Sequence, residues 1–233
     1  MMADSRRFVA FTGAGISAES GIPTYRGDGG LWDKYDPSKY ADISHFYQNP
    51  SYYWRFFQEV RYPVIQKARP NKAHEALARL QREGALCAII TQNIDGLHQE
   101  AGSGKVLELH GNTRRILCLN CGICYTMAAV FDMLSIRLPP KCTACGGVLK
   151  PDVVFFGESL PAAVVDDAVK ETSLCDLFLV VGSSLVVQPA ASLPVMAKKN
   201  GAKVVIVNKE PTPLDALADL VIHSGASEVL GES

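Results

Sequence analysis

The sequence predicts an α/β fold built on a doubly wound parallel sheet that carries two insertions. Three observations predict it: short β-branched apolar runs recur along the chain, helical patterns lie between several of them, and two stretches break the alternation. The runs are Phe8 to Phe11, Leu86 to Ile90, Val106 to Leu109, Leu177 to Val181, Val204 to Val207 and Leu220 to Ile222. They are apolar at nearly every position, which suits strands covered on both faces. Ala73 to Glu83 sets Ala73, Ala76, Leu77 and Leu80 on one stripe and meets Gly84 as a stop. Pro161 to Thr172 and Pro189 to Asn200 read as further helices, the second closed by Gly201. Strand–helix–strand order with right-handed crossovers gives the doubly wound arrangement.

Residues 28–72 are rich in aromatics, among them Trp32, Tyr40, Tyr53, Trp54 and Phe57, and are too long for one ordinary crossover. They are expected to form a small helical insertion. Residues 111–151 hold a cysteine cluster and little helical periodicity, and read as a second insertion. Residues 1–27, 73–110 and 152–233 are left to form the sheet domain. A chain of 233 residues, 48% hydrophobic and 20% charged, is long and apolar enough for such a core and is not a disordered polymer. Its net charge of -1 supplies no general attraction to nucleic acid or to an anionic membrane. The apolar runs are strand-sized, far below a membrane span, and the residues before Thr12 contain no leader-like apolar stretch, so a cytoplasmic location is expected.

Directly after the first run comes Gly13-Ala14-Gly15-Ile16-Ser17-Ala18, a G-x-G-x-x-A sequence in the strand-to-helix context of a dinucleotide fingerprint. The domain is therefore expected to be Rossmann-like, with the glycines admitting a pyrophosphate and a helix N-terminus favouring its charge. No acidic residue ends a second strand about 20 positions on, which disfavours an ordinary dehydrogenase.

Cys118-x2-Cys121 and Cys142-x2-Cys145 form two knuckles spaced for one tetrahedral zinc, a zinc-ribbon module. Cys121-x2-Cys124 is an alternative first pair. Cys118 with Cys121 is preferred because Gly122 then follows its second cysteine just as Gly146 follows Cys145. Four protein ligands leave no open position, so this zinc is structural. Cys87 and Cys175 sit singly in apolar stretches and are expected in the core. Zinc ribbons often bind nucleic acid, but residues 111–151 carry five cations against Asp132, and a zinc held by four thiolates removes two of those charges. That excess is small and lacks an aromatic stacking series, so no nucleic acid is expected.

Polar groups gather at the carboxyl ends of the predicted strands, the edge where open α/β sheets bind ligands. They are Thr91 to His98, His110-Gly111-Asn112, Gly182-Ser183-Ser184 and Asn208-Lys209-Glu210.

Taken together, GAGISAESGIPTYRG (13–27), TQNIDGLH (91–98), LHGN (109–112), the cysteine pairs, KPDVVFFGE (150–158), GSSLVVQPA (182–190) and IVNKEP (206–211) resemble the sirtuins of prokaryotic type, in family order and across nearly the whole chain. The resemblance implies an NAD-dependent protein lysine deacylase that moves the acyl group to ADP-ribose and releases nicotinamide. It implies Gly13, Ala14 and Gly15 at the pyrophosphate, with Ser17, Tyr25 and Arg26 near the phosphates and nicotinamide ribose. It places Gln92, Asn93, Ile94 and Asp95 around the nicotinamide ribose and carboxamide, with Asn93 and Asp95 assisting cleavage. Gly182, Ser183, Ser184, Asn208, Lys209 and Glu210 would line the adenosine half, and His110 would be the general base. An acylated-lysine peptide would run between Val154, Phe155, Phe156, Gly157 and Glu158 on one side and Leu185, Val186 and Val187 on the other, as an added strand. Oligomeric state has no signature here, and a monomer suffices for the implied site.

Two departures bear on chemistry. Tyr25 stands where phenylalanine is usual, adding a hydroxyl beside the leaving group. Members that remove succinyl or malonyl groups carry a Tyr-x-x-Arg in the helical insertion; the stretch Trp54 to Arg61 has none, and Glu59 would repel an acidic acyl group. Acetyl and other uncharged acyl groups are therefore expected to be preferred over succinyl.

Overall fold

The structure is a computed structural model that describes residues 5–27 and 29–231; residues 1–4, Asp28, Glu232 and Ser233, at the edges of three expected segments, lie outside it. Among the described residues the strands are β1 (Phe8–Thr12), β2 (Leu86–Thr91), β3 (Val106–Glu108), β4 (Gly111–Cys118), β5 (Cys124–Thr126), β6 (Leu149–Val153), β7 (Leu177–Val181), β8 (Lys203–Val207) and β9 (Leu220–Ile222). Six of them form one parallel sheet in the order β3-β2-β1-β7-β8-β9. The doubly wound sheet is thus as the sequence predicts.

Alternation along the strands sorts their side chains onto two faces. Val9, Phe11, Phe178, Val180, Val204 and Ile206 pack with helices Ala162–Leu174 and Leu193–Lys199 on one face. Phe8, Ala10, Leu177, Leu179, Val205 and Val207 pack with Ala73, Ala76 and Leu77 of helix Lys72–Arg82 on the other. Strand order reverses between β1 and β7, and this switch point opens the crevice where such sheets bind ligands.

Glycines make that crevice. Gly13 N–H donates to Val181 O (3.1 Å) and Gly15 N–H to Gly182 O (2.8 Å). A Cβ on Gly13 would lie 2.7 Å from Gly182 O, and one on Gly182 would lie 2.3 Å from Ile16 N, so the two turns can touch only as bare backbone. The segment after Gly13 differs from expectation: Ala14–Ser20 is a 3-10 helix, not an α-helix. Its Ile16 carbonyl accepts from the Asn71 side chain (2.7 Å) rather than from a fourth-residue amide.

The two expected insertions share one apolar core. Residues 31–67 form short helices, and their Phe46, Tyr53, Trp54 and Phe57 pack against Ile116, Met127, Val130, Leu149 and Phe155. Trp54 Nε1 donates to Leu149 O (2.8 Å), and Tyr62 stacks on Phe131 with ring centroids 4.3 Å apart. β5, β4 and β6 make the antiparallel sheet of this second lobe. Residues 111–151 also contain a helix that their periodicity does not announce, Met127–Ile136, started by Thr126 accepting from Ala129 N. Met127, Val130 and Leu134 are buried, but Ile136 is 86% exposed, so apolar residues circle the helix and blur its stripe. Cys175 lies in the core as expected; Cys87 is only half-buried, a correction to its expected place. Among the described residues no helix is long and apolar enough to cross a membrane.

Candidate active site

A cavity of about 730 Å³ occupies the crevice, between the carboxyl edge of the parallel sheet and the second lobe. Most residues expected at the site line it. The phosphate side is Gly13, Ala14 and Gly15, with Tyr25 and Arg26 on the loop opposite. Gln92, Asn93, Ile94 and His110 meet it at the ends of β2 and β3. Gly182, Ser183, Ser184, Asn208, Lys209 and Glu210 bound its far half, and residues 154–158 and Val187 its mouth.

Four expected residues do not line the cavity. Ser17 (1% exposed) and Asp95 (6%) lie beneath its wall. Ser17 Oγ donates to Asp95 Oδ2 (2.8 Å), and Asp95 Oδ1 accepts from Leu97 N (2.9 Å), so this carboxylate is spent on the protein itself. Asn93 Nδ2 donates to Ser17 Oγ and to Gly13 O, each at 3.1 Å, which locks the amide whose outer face looks into the cavity. Leu185 is buried with a left-handed backbone (φ 54°) that turns Val186 out to solvent, 48% exposed.

Deeper in the same wall lie two buried imidazoles. His98 Nε2 pairs with Thr12 Oγ1 (2.9 Å), and its ring centroid is 4.9 Å from that of His74. Burial pushes His74 down to about 4, with Asp95 opposing, and pushes His98 well below the ordinary imidazole value. Both therefore stay neutral in the folded chain. The unfolded chain takes up their protons as pH falls through about 6.5, so folding should weaken below that value by roughly 1.4 kcal/mol per pH unit for each imidazole. Thermal melts are expected to show a lower Tm at pH 5 than at pH 7, with His74→Gln narrowing the gap; equal melting at both values would refute this.

His110 has a defined tautomer. Its Nδ1 donates to Gln92 O (2.9 Å), which leaves Nε2 bare as the proton acceptor on the cavity side. Burial lowers its pKa, and the Gln92 carbonyl partly opposes this, so the ring is neutral at neutral pH.

Sequence reasoning missed the aromatic chamber beside this histidine. Trp32, Tyr53, Phe56, Phe57 and Arg61 all line the cavity. Arg61 is 6% exposed; its Nη2 donates to Tyr25 Oη (2.9 Å), its guanidinium lies 5.0 Å from the Tyr25 ring centroid, and no carboxylate pairs with it among the described residues. It gets there through a π-helical turn, Phe57–Arg61, just before Pro63, which has no N–H and whose ring would crowd the Glu59 carbonyl of an α turn. Glu59 is exposed and outside the cavity wall, so the expected repulsion of acidic acyl groups has no source.

The four expected cysteines converge in the second lobe. The sulfurs of Cys118, Cys121, Cys142 and Cys145 lie within 4.8 Å of one another, with 3.5 Å for Cys118–Cys145 and 3.7 Å for Cys121–Cys142. A tetrahedron of thiolates about 2.3 Å from zinc has edges of about 3.8 Å, so the residues fit that ion. Tyr125 Oη accepts from Thr143 N (3.1 Å), which frees its proton for Cys142 Sγ at 3.1 Å. Cys124 is exposed and outside the group.

Known proteins resemble this chain over nearly its whole length. The model of the Sir2 family matches residues 13–189, which span the glycine turn, His110, the cysteines and the Ser183 segment. The chain belongs to the Sir2 family. It is 51% identical over 99% of its length to the NAD-dependent protein deacylase 2 of Archaeoglobus fulgidus, covering 90% of that protein. It is 47% identical over 99% of its length to the NAD-dependent protein deacetylase 1 of Pyrobaculum aerophilum, covering 89% of it. Among solved structures, a Sir2 with p53 peptide and NAD+ superposes with a TM-score of 0.92 at 42% identity, covering 99% of this chain and 93% of that one. In this Sir2 chain, then, the cavity and the cysteine group occur in a fold shared with its relatives throughout.

Proposed function

We infer that this Sir2-family chain is an NAD-dependent protein lysine deacylase: acyl-lysine, NAD and one water become lysine, nicotinamide and O-acyl-ADP-ribose. One observation carries the reading. The bare Nε2 of His110 belongs to the same cavity as the glycine turn and the locked Asn93 amide. The residues also fit the co-substrate: a bare glycine turn can meet a pyrophosphate, and the Glu210 carboxylate at the far end can accept from ribose hydroxyls. Bound there, NAD would supply a ribose carbon from which nicotinamide departs.

The chain's own groups do the rest. Gln92 fixes His110, whose Nε2 takes a proton from a sugar hydroxyl, general-base chemistry suited to a neutral imidazole. Asn93 presents a fixed dipole where the glycosidic bond would break, with Asp95 and Ser17 holding it from below. The apolar chamber excludes water that would otherwise capture the sugar. Its acyl-lysine partner would enter between Gly157 and Val186, which make no backbone hydrogen bond among the described residues and so are free to pair with an added strand. A cytoplasmic location and the absence of a nucleic-acid partner complete the reading. Mass spectrometry of products from a panel of acyl-lysine peptides, with and without NAD labelled in the adenylate, tests it. Label in a small acyl ester supports deacylation; label on protein would indicate ADP-ribosyl transfer instead.

The acyl preference follows the charge in the chamber. A buried guanidinium with no carboxylate partner among the described residues favours an anionic partner over none. A succinyl-lysine peptide is therefore expected to be turned over, and Arg61→Met to slow it about tenfold more than an acetyl-lysine peptide. Equal slowing of both peptides would count against this role.

A further inference from the structure

We propose that Lys150 is a positioning residue that shapes the peptide-facing wall of the cavity; the proposal rests on the deacylase reading. Lys150 lies in β6 with its side chain only 7% exposed. Its Nζ donates to Val153 O (2.7 Å) and to Glu158 Oε2 (2.8 Å), and sits 4.3 Å from the centroid of the Phe155 ring. The same Glu158 oxygen accepts from Phe155 N (2.8 Å). Residues 153–158 are thus curled around one ammonium, which holds a carbonyl, a carboxylate and a ring at once.

The consequences run in two directions. Glu158 lines the cavity, and its Oε2 is held by both Lys150 and the Phe155 amide. Its work is to keep the turn at Gly157 in place. On the other side of the segment, Val154 N donates to His110 O (2.9 Å), and Phe156 is bonded through its N to Ala41 O (2.7 Å) and through its O to Ile43 N (3.0 Å). One buried cation therefore sets the register of a strand whose neighbour is the backbone of His110 and whose free edge, at Gly157, faces the mouth. A buried ion pair is weak evidence for stability, since an apolar side chain of similar volume avoids the desolvation cost. The geometry it imposes is the better account of why a charge sits there.

The test is steady-state kinetics on Lys150→Met, Lys150→Arg, Glu158→Gln and the Lys150→Met/Glu158→Gln double variant, with NAD affinity measured separately by calorimetry. Lys150→Met and Glu158→Gln are each expected to raise the KM for an acyl-lysine peptide about tenfold, with kcat at saturating peptide and NAD affinity within about threefold of wild type. The double variant should be no worse than either single one, because both remove the same contact. Lys150→Arg should recover most of the loss. Peptide KM unchanged in Lys150→Met and Glu158→Gln overturns the proposal, as does a matching fall in kcat and NAD affinity, which would mark general loosening. If Lys150→Met fails to fold, the Lys150→Met/Glu158→Gln double variant decides by its peptide KM, since it leaves neither charge of the pair without its partner. Wild-type protein without NAD-dependent turnover of any acyl-lysine peptide overturns the functional reading and this proposal together; turnover with unshifted peptide KM overturns only this one.

Discussion

Replacing His110 by alanine is expected to lower deacylation by about 10²–10⁴-fold, the range for loss of a positioned general base. The tautomer is what makes the expectation specific. With Nδ1–H committed to the Gln92 carbonyl, only Nε2 can accept a proton, and no other imidazole lines the cavity among the described residues. His74 and His98 are buried in the wall and cannot substitute. NAD affinity should change little, because the glycine turn, Ser183 and Glu210 are untouched. In the proposed mechanism His110 would take its proton after nicotinamide has departed, so exchange of labelled nicotinamide into NAD should survive better than deacylation. The wild-type rate should also keep its basic-form plateau down to a pH below about 6.5, since burial lowers the pKa of His110 and extends the neutral form downward. A His110→Ala variant that deacylates at the wild-type rate would remove the proposed base from the mechanism.

Loss of the zinc site is also expected to damage activity, though among the described residues no cysteine lines the cavity. Removing the ion, by chelator or by Cys142→Ser, should cut bound zinc from one per chain to near zero. Structural zinc binding contributes about 10–16 kcal/mol in small modules, so the three-stranded sheet should lose its order. Cys118 and Cys142 belong to the same apolar cluster as Trp54, Phe57, Val153 and Phe155. The disturbance should therefore reach the chamber and the 154–158 wall, with a red shift of Trp54 fluorescence and at least tenfold loss of activity. The parallel sheet has two cores of its own and should keep its far-ultraviolet signal. Metal-free protein that holds full activity and an unchanged melting temperature would show that the cysteines do not support the site.

What the residues determine by themselves is whatever a short-range pattern encodes. The strands of the parallel sheet are legible because a segment buried on both faces must be apolar throughout, and the glycine turn because only bare backbone can pass Gly182 at that distance. The knuckles are legible because two thiolates on one ion need a fixed spacing, and Cys124 falls outside the group as the glycine positions imply. Helix Met127–Ile136 was obscured because apolar residues surround it.

Tertiary structure decided the rest, wherever function depends on contacts between distant segments. Ser17 and Asp95 are read easily as ligand contacts, yet they meet each other under the wall, 78 positions apart in the chain. Arg61 reaches Tyr25 only because a π turn rotates it inward, and Glu59, two residues earlier, is left in solvent. The two insertions look independent in sequence and become one lobe through Trp54 and Leu149. Lys150 appears as an ordinary basic residue beside a proline until Val153, Phe155 and Glu158 close around it. Local pattern states which backbone forms; the direction a side chain takes, and the partner that satisfies it, depend on packing between elements that no single stretch of sequence contains.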